Sequence, residues 1–479
     1  MADIDNILLT HSYFVNHDAK QLVKMKPYSP LTTLLAAALL RRAGYEVALF
    51  DATFAGGVAA FEARLDAVRP KAVLVMEDNF NFLTKMCTTG RRDSALAMIR
   101  AARARGCKVA ANGPDVSDNP ALYLAAGADA VVLGEGETAV LELVQRWAAG
   151  GRAADVPGLI LPGETGLART APRPAFSDLD SLPRPAWDLL DIDAYRQAWR
   201  VAHEMFSWNM AASRGCPYAC NWCAKPSFGR RYTVRSPKDV VAEMAALKTQ
   251  IGPDHIWFTD DILGLDADWA CEFAEAVTGA DARIAFSMQS RVNLMTERTV
   301  AALARAGAQE VWLGVESGAQ AILDAMDKGA TVQAAREATR TLRAHSIRAC
   351  WFIQLGYPSE TWDDLLATRD LIREAAPDEI GVSVSYPLPG TRFHDKVRAQ
   401  LGRQRNWKDT NDLAMLFQGT YDTAFYRRVR DLLHREVDTG HAQDAAWAEL
   451  EAQAHLHRSP YPSALAPPSI VPASLALGA

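Results

Sequence analysis

The sequence predicts an α/β protein. It would have an amino-terminal doubly wound, Rossmann-like domain, a partial (β/α)6 barrel of the TIM type and a small helical carboxyl-terminal region. Two observations predict it. Short apolar runs alternate with amphipathic helical stretches, first to about residue 150 and again from about 205 to 395. Such alternation makes parallel strands joined by crossing helices. Between the two runs lies "GGRAADVPGLILPGETGLARTAPRPAF", rich in Gly and Pro, which reads as a linker with a short hairpin and not as a core. The expected divisions are 1–150, a linker at 151–204, the barrel at 205–395, helices at 396–456 and a tail at 457–479.

In the first unit "NILLTHSY", "EVALFDA", "RPKAVLVME", "CKVAANG" and "DAVVLGEGE" read as buried strands. "PLTTLLAAALLRRAGY", "SALAMIRAARARG" and "TAVLELVQRWAAG" read as the helices between them. A ligand site is expected beyond the carboxyl ends of these strands. The six barrel strands are "WNMAASRG", "HIWFTDDI", "RIAFSMQS", "EVWLGVES", "IRACWFIQLGY" and "EIGVSVSYPL". Barrel chemistry sits at strand carboxyl ends, so the polar residues ending these segments are the candidates. Past residue 390, stretches such as "YRRVRDLLHREVD" are helical, and Trp407, Phe417, Tyr421 and Phe425 read as a small core. The Pro-rich end reads as a flexible tail.

The 479 residues allow roughly two to four domains. The formal charge of −6 carries no polybasic stripe, so a nucleic-acid partner is not expected. "MADIDNILLTHSYF" starts acidic and has no long apolar run, and "LTTLLAAALL" is too short to span a bilayer. A cytoplasmic protein without a transmembrane segment is expected. Seven cysteines, an odd number, do not read as a secreted disulfide framework. Cys87, Cys107, Cys271 and Cys350 are scattered and read as buried small hydrophobes.

The other three cysteines lie together in "SRGCPYACNWC", just after the first barrel strand. Clustered thiolates select zinc or iron–sulfur centres. Structural zinc normally takes four protein ligands, and no fourth Cys or His lies just downstream. A zinc or redox thiol loop remains the alternative to a cluster with one open iron. The CxxxCxxC pattern at a first barrel strand resembles the radical S-adenosylmethionine (SAM) superfamily. The resemblance implies that Cys216, Cys220 and Cys223 hold a [4Fe–4S] cluster whose open iron binds SAM. It also implies that the reduced cluster cleaves SAM to a 5′-deoxyadenosyl radical. By the same resemblance, Trp222 would flank the adenine. Asp260, Asp261, Gln289, Arg291, Glu316 and Ser317, at later strand ends, would contact SAM.

A doubly wound domain before such a barrel resembles the cobalamin-binding subclass. "MKPYSPLTTLLAAALLRRAGYEVALFDAT" is similar to that subclass's opening, and "DAVVLGEGE" to its closing turn. The methionine-synthase-type DxHxxG loop is absent; "THSYFVNHDAKQ" stands there instead. His11 and His17 therefore read as ordinary loop histidines, and cobalamin is expected without a histidine lower ligand. Asp78, Asn79 and Phe80, with Gly113, Ser117, Gly134, Glu135 and Gly136, would border it.

The commonest reaction the resemblance implies is methylation of an unactivated carbon of a small molecule, with an electron donor such as flavodoxin or ferredoxin. "RGCPYACNWC…RRYTVRSPKDVVAE" and "PRPAWDLLD" also resemble the anaerobic magnesium-protoporphyrin monomethyl ester cyclases, which close a ring oxidatively; hopanoid and bacteriochlorophyll methylases share these features. A third reading, a cobalamin-sensing protein with a structural cluster, would call for a signalling domain, and none is legible.

Overall fold

The computed structural model of the chain describes residues 4–80, 88–164, 166–225 and 227–458. The first sheet has the order β2-β1-β3-β4-β5-β6-β7. Its strands are β1 Asn6–Thr10, β2 Glu46–Phe50, β3 Ala72–Met76, β4 Lys108–Asn112, β5 Ala130–Val132, β6 Leu159–Gly163 and β7 Gly166–Arg169. β1 to β5 are parallel, and β6 and β7 are antiparallel. The winding reverses between β1 and β3, so the loops leaving those strands part and open a crevice at their carboxyl ends. Helices cover both faces, which is why β3 is apolar and buried at every position. The helix Leu31–Arg42 shares one core with Ile7, Leu9 and Leu74. The helices Val58–Val68 and Thr89–Ala104 close the other face over Leu8, Val73 and Val75.

The second large sheet is wholly parallel, in the order β15-β14-β13-β12-β11-β8. Its strands are β8 Ser207–Met210, β11 His255–Phe258, β12 Ala285–Ser290, β13 Ala308–Glu316, β14 Arg348–Leu355 and β15 Glu379–Val384. A two-stranded ribbon, β9 Ser213–Arg214 with β10 Thr233–Val234, follows β8. All six expected barrel strands form, and β8 and β15 are its free edges. Alternate residues such as Val311, Leu313, Val315, Trp351, Ile353 and Val382 join the outer core under the helices. The intervening residues line the concave face.

The expected hairpin forms as β6 and β7, but residues 151–204 are packed structure and not a free linker. β6 and β7 extend the first sheet, and Val156, Leu159, Trp187, Tyr195 and Trp199 are buried in the core that both sheets share. The helix Ile192–His203 fastens the two units. Tyr195 donates its hydroxyl to Asp51 at 2.8 Å, and Trp199 donates Nε1 to the Pro27 carbonyl at 2.9 Å. Trp187 and the pair Tyr195 and Trp199, four residues apart on one helix face, supply this burial, and the Gly and Pro content before them hid it.

The carboxyl-terminal region is also less regular than expected. The helices Thr423–Thr439 and Asp444–Gln453 are preceded by irregular chain from 401 to 420. That chain docks on the first domain. Thr410 donates Oγ1 to Asp18 at 2.7 Å, and the Trp407 carbonyl accepts from Thr89 N at 2.9 Å. Trp407, Phe417, Tyr421 and Phe425 are all buried. Cys107 and Cys350 are buried as expected, whereas Cys271 is half-exposed. Cys87 and nearly all of the expected tail, 459–479, lie outside the described residues.

Candidate functional site

The three clustered cysteines lie on the loop between β9 and β10, past the carboxyl end of β8. Gly215 admits this loop. Its φ is +79°, and a Cβ there would stand 2.1 Å from the Arg231 carbonyl oxygen. Cys220 is buried, while Cys216 and Cys223 are half-buried. Burial raises the Cys216 thiol and pushes Cys223 up to about 11. Without a metal both are neutral thiols near pH 7; a soft metal centre is what stabilises them as thiolates. The three sulfurs do not form a set of ligand atoms mutually within 4.8 Å; among the described residues only Glu310, Cys350 and Glu379 do. One tetrahedral zinc would draw its sulfurs to about 4 Å apart. Three soft thiolates on one loop suit an iron–sulfur cluster or a zinc ion.

Several groups hold this loop. Asn221, between Cys220 and Cys223, donates Nδ2 to the Ala325 carbonyl at 2.7 Å and to Asp327 at 2.9 Å. It also accepts from the Tyr357 hydroxyl at 3.0 Å. Asp260, fully buried at the end of β11, accepts from Ala212 N and from the Ser213 hydroxyl. Both of its oxygens are engaged by backbone and side chain leading into the loop, so Asp260 shapes the loop from behind. Its burial pushes its carboxyl up to about 6. Arg291 reaches in from the end of β12. Its Nη1 lies 3.4 Å from Cys220 Sγ, and its guanidinium covers the Tyr218 ring at 3.8 Å.

Glu316 ends β13 with φ +70° and is paired with Lys328 at 2.7 Å, both nearly inaccessible. Ser317 accepts from Ala319 N at 3.1 Å and meets Thr368 Oγ1 at 3.3 Å. Gln289 is half-buried on β12, and Trp222 is half-buried against Ile322, Met326 and Phe417. Asp261 is half-buried, and its charge helps raise the Cys216 and Cys223 thiols.

The far side of the loop grips the first domain. Ser227 donates to Asn79 Oδ1 at 2.5 Å, and Asn79 donates onward to Asn112 Oδ1 at 3.0 Å and to the Glu135 carbonyl at 3.1 Å. Arg214, two residues before Cys216, pairs with Glu135 at 2.5 Å and with Glu137 at 2.9 Å. Phe80 and Phe228 pack with ring centroids 4.9 Å apart beneath that guanidinium. The thiol loop is thus anchored to the carboxyl-end loops of β3 and β5.

The matches with known families follow this division. Residues 26–144 match the B12 binding domain, and residues 210–372 match the Radical SAM superfamily. The chain carries a B12-binding domain and a radical SAM domain. The chain is 30% identical over 304 residues to an uncharacterised methyltransferase of Pyrococcus horikoshii, covering 63% of this chain and 65% of that protein. It is 30% identical over 270 residues to the anaerobic magnesium-protoporphyrin IX monomethyl ester cyclase of Rubrivivax gelatinosus, covering 54% and 47%. The matched stretch thus spans less than two thirds of either relative. Its fold is that of the radical SAM methyltransferase TsrM from Kitasatospora setae, solved with cobalamin and a [4Fe–4S] cluster. The TM-score is 0.68 at 21% identity, over 83% of this chain and 75% of that one.

In the B12-binding domain several expected border residues are engaged within the protein. Asp78 Oδ1 accepts from Thr32 N at 3.2 Å and Phe80 N at 3.3 Å, capping the helix Leu31–Arg42. A Cβ on Gly113 would stand 2.5 Å from Glu77 Cβ, and one on Gly136 would stand 2.4 Å from Asn112 Oδ1. The space at these two glycines is occupied by neighbouring side chains, a packing reason for Gly. Gly134 lies against the Ser227 carbonyl, and Ser117 sits half-buried on the short helix Pro114–Asp118. His11 is buried, not on an open loop. Its Nε2 meets Asp51 Oδ1 at 2.9 Å, and its Nδ1 accepts from Tyr13 N at 3.2 Å. His17 is exposed. Sequence reasoning missed Arg214, Asn221, Ser227 and Lys328. Arg214 and Asn221 stand inside the quoted cysteine segment, but nothing local marks what they bind.

Proposed function

We propose that this protein is a cobalamin-dependent radical SAM enzyme that methylates an unactivated carbon of a small molecule. The observation that carries the reading is the anchoring of the three-cysteine loop to the loops of the B12-binding sheet, through Ser227–Asn79 and Arg214–Glu135. Cys216, Cys220 and Cys223 would hold the cluster. Trp222, Asp261, Gln289, Arg291, Glu316 and Ser317 would border SAM, and Asn79, Phe80 and Glu135 would border cobalamin. When bound, the cluster supplies an electron for SAM cleavage and cobalamin supplies a methyl carrier.

The chain's own residues do the holding. Arg291 sets a fixed positive charge 3.4 Å from Cys220 Sγ and holds the loop there. The Glu316–Lys328 pair offers a buried carboxylate and ammonium, a complementary couple for the amino and carboxylate groups of an amino acid. Both ring nitrogens of His11 are engaged, which supports cobalamin held without a histidine ligand. An electron donor such as flavodoxin or ferredoxin would serve it. No described helix is long and apolar enough to cross a membrane.

Oxidative ring closure is the second reading, favoured by the 30% identity to the Rubrivivax cyclase. Product analysis separates the two. S-adenosylhomocysteine formed alongside 5′-deoxyadenosine is expected for methyl transfer. Deoxyadenosine alone, with a dehydrogenated product, would favour ring closure.

A further inference from the structure

The concave face of the barrel carries a surface that the proposed cofactor contacts leave unexplained. Trp257 on β11, Trp312 on β13 and Phe352 on β14 belong to the rows that alternate with the outer core, and each remains half-exposed. Trp312 and Phe352 are stacked, with centroids 4.8 Å apart and planes 28° apart. Gly381 on β15 lets them lie there, since a Cβ would come within 3.3 Å of both rings. Glu310 accepts from Trp312 Nε1 at 2.6 Å and fixes the tilt of the indole.

Higher on the same rows stand polar atoms with no hydrogen-bond partner among the described residues. Gln354 follows Phe352 by two residues and is 5% exposed, and its Oε1 has no hydrogen-bond partner. Ser385 follows Gly381 by four residues and is 1% exposed, and its Oγ likewise has none. Buried polar groups are rarely left so unless something supplies the missing bond. The carboxylates on this face are already matched: Glu310 with Arg348 at 2.6 Å, Glu379 with Arg348 at 3.6 Å and Glu316 with Lys328 at 2.7 Å.

We infer that this face is the substrate chamber and that it takes a neutral, flat, conjugated ring system. The ring lies on Trp312 and Phe352, with a hydrogen-bonding edge toward Gln354 and Ser385. The inference rests on the reading of the barrel as the catalytic domain and adds a substrate class to it. An aromatic platform favours a π-face over a saturated surface of equal size. Arg348, the guanidinium on these rows, already meets Glu310 and Glu379, so an anionic ligand there would have to compete with both carboxylates.

Three probes test it on the full reconstituted chain: 2-naphthol, decahydro-2-naphthol and 2-naphthoate, with dissociation constants from calorimetry. The inference expects 2-naphthol to bind about two- to tenfold tighter than its saturated counterpart, and 2-naphthoate to bind weakest. Trp312→Leu, which keeps an apolar side chain, should erase the preference for the ring. Trp312→Phe should retain most of it. No binding of 2-naphthol, equal binding of the two alcohols, tightest binding of the naphthoate, or a preference that survives Trp312→Leu would each overturn the inference. Iron, cobalamin and SAM cleavage are measured on the same samples. A ring preference that depends on Trp312 in a protein holding neither cofactor would support the chamber and contradict the proposed function.

Discussion

Asn221 makes three contacts that reach across the barrel, to Ala325, Asp327 and Tyr357, and no local pattern marks it. Replacing it by alanine removes these three bonds while the Ala325 carbonyl keeps the Tyr357 hydroxyl at 2.8 Å, so the loss is about 0.5–1.5 kcal/mol per bond. The expected result for Asn221→Ala is a lower midpoint in urea and less iron retained after reconstitution; wild-type values of both would show that the loop does not depend on it. Arg214 is a sharper case. Arg214→Met leaves Glu137, 1% exposed, as a buried carboxylate without its cation, at a cost of about 3–5 kcal/mol. Chemical denaturation should show that loss, and a change below about 1 kcal/mol would mean that the pair acts as a surface bridge. The thiols themselves were legible because three ligands of one type fall within eleven residues. Asn221 and Arg214 were not, because their partners lie 104 and 79 residues away.

At the scale of elements, the strands were legible wherever both faces are covered. A strand packed under helices on both sides needs apolar side chains at every position, and Ala72–Met76 has them. The helix Ile192–His203 was not legible, because the stretch before it reads as Gly and Pro, and its burial rests on Tyr195 and Trp199 alone. Polar contacts on the concave face also bind elements together. His255 on β11 joins Ser207 of β8 at 2.8 Å and Ser287 of β12 at 2.9 Å, and burial lowers its pKa to about 4. The unfolded chain takes up a proton near pH 6.5 that the folded chain refuses until about pH 4. Stability from this group is therefore complete above about 6.5 and is lost as pH falls toward 4, by at most about 3 kcal/mol. The stability gap between the wild type and His255→Gln should narrow over that window. A gap constant from pH 7 to pH 4 would show that His255 titrates normally. Asp260, raised to about 6, runs the other way and loses stability as pH climbs through its folded value.

At the scale of the whole molecule, the two domains share one core and one polar seam, and the carboxyl-terminal chain straps across to Asp18. The order of domains was legible from two rounds of alternation; the seam was not, because it joins loops whose sequences are individually ordinary. The most direct measurement uses protein purified without oxygen and reconstituted with iron, sulfide and hydroxocobalamin. After reduction and addition of SAM, iron, bound cobalamin and 5′-deoxyadenosine are assayed together in the wild type and in Cys220→Ala. The account predicts all three in the wild type, and cobalamin without iron or nucleoside in the variant. Wild-type iron and nucleoside in Cys220→Ala, or a wild type that binds neither cofactor, would contradict it.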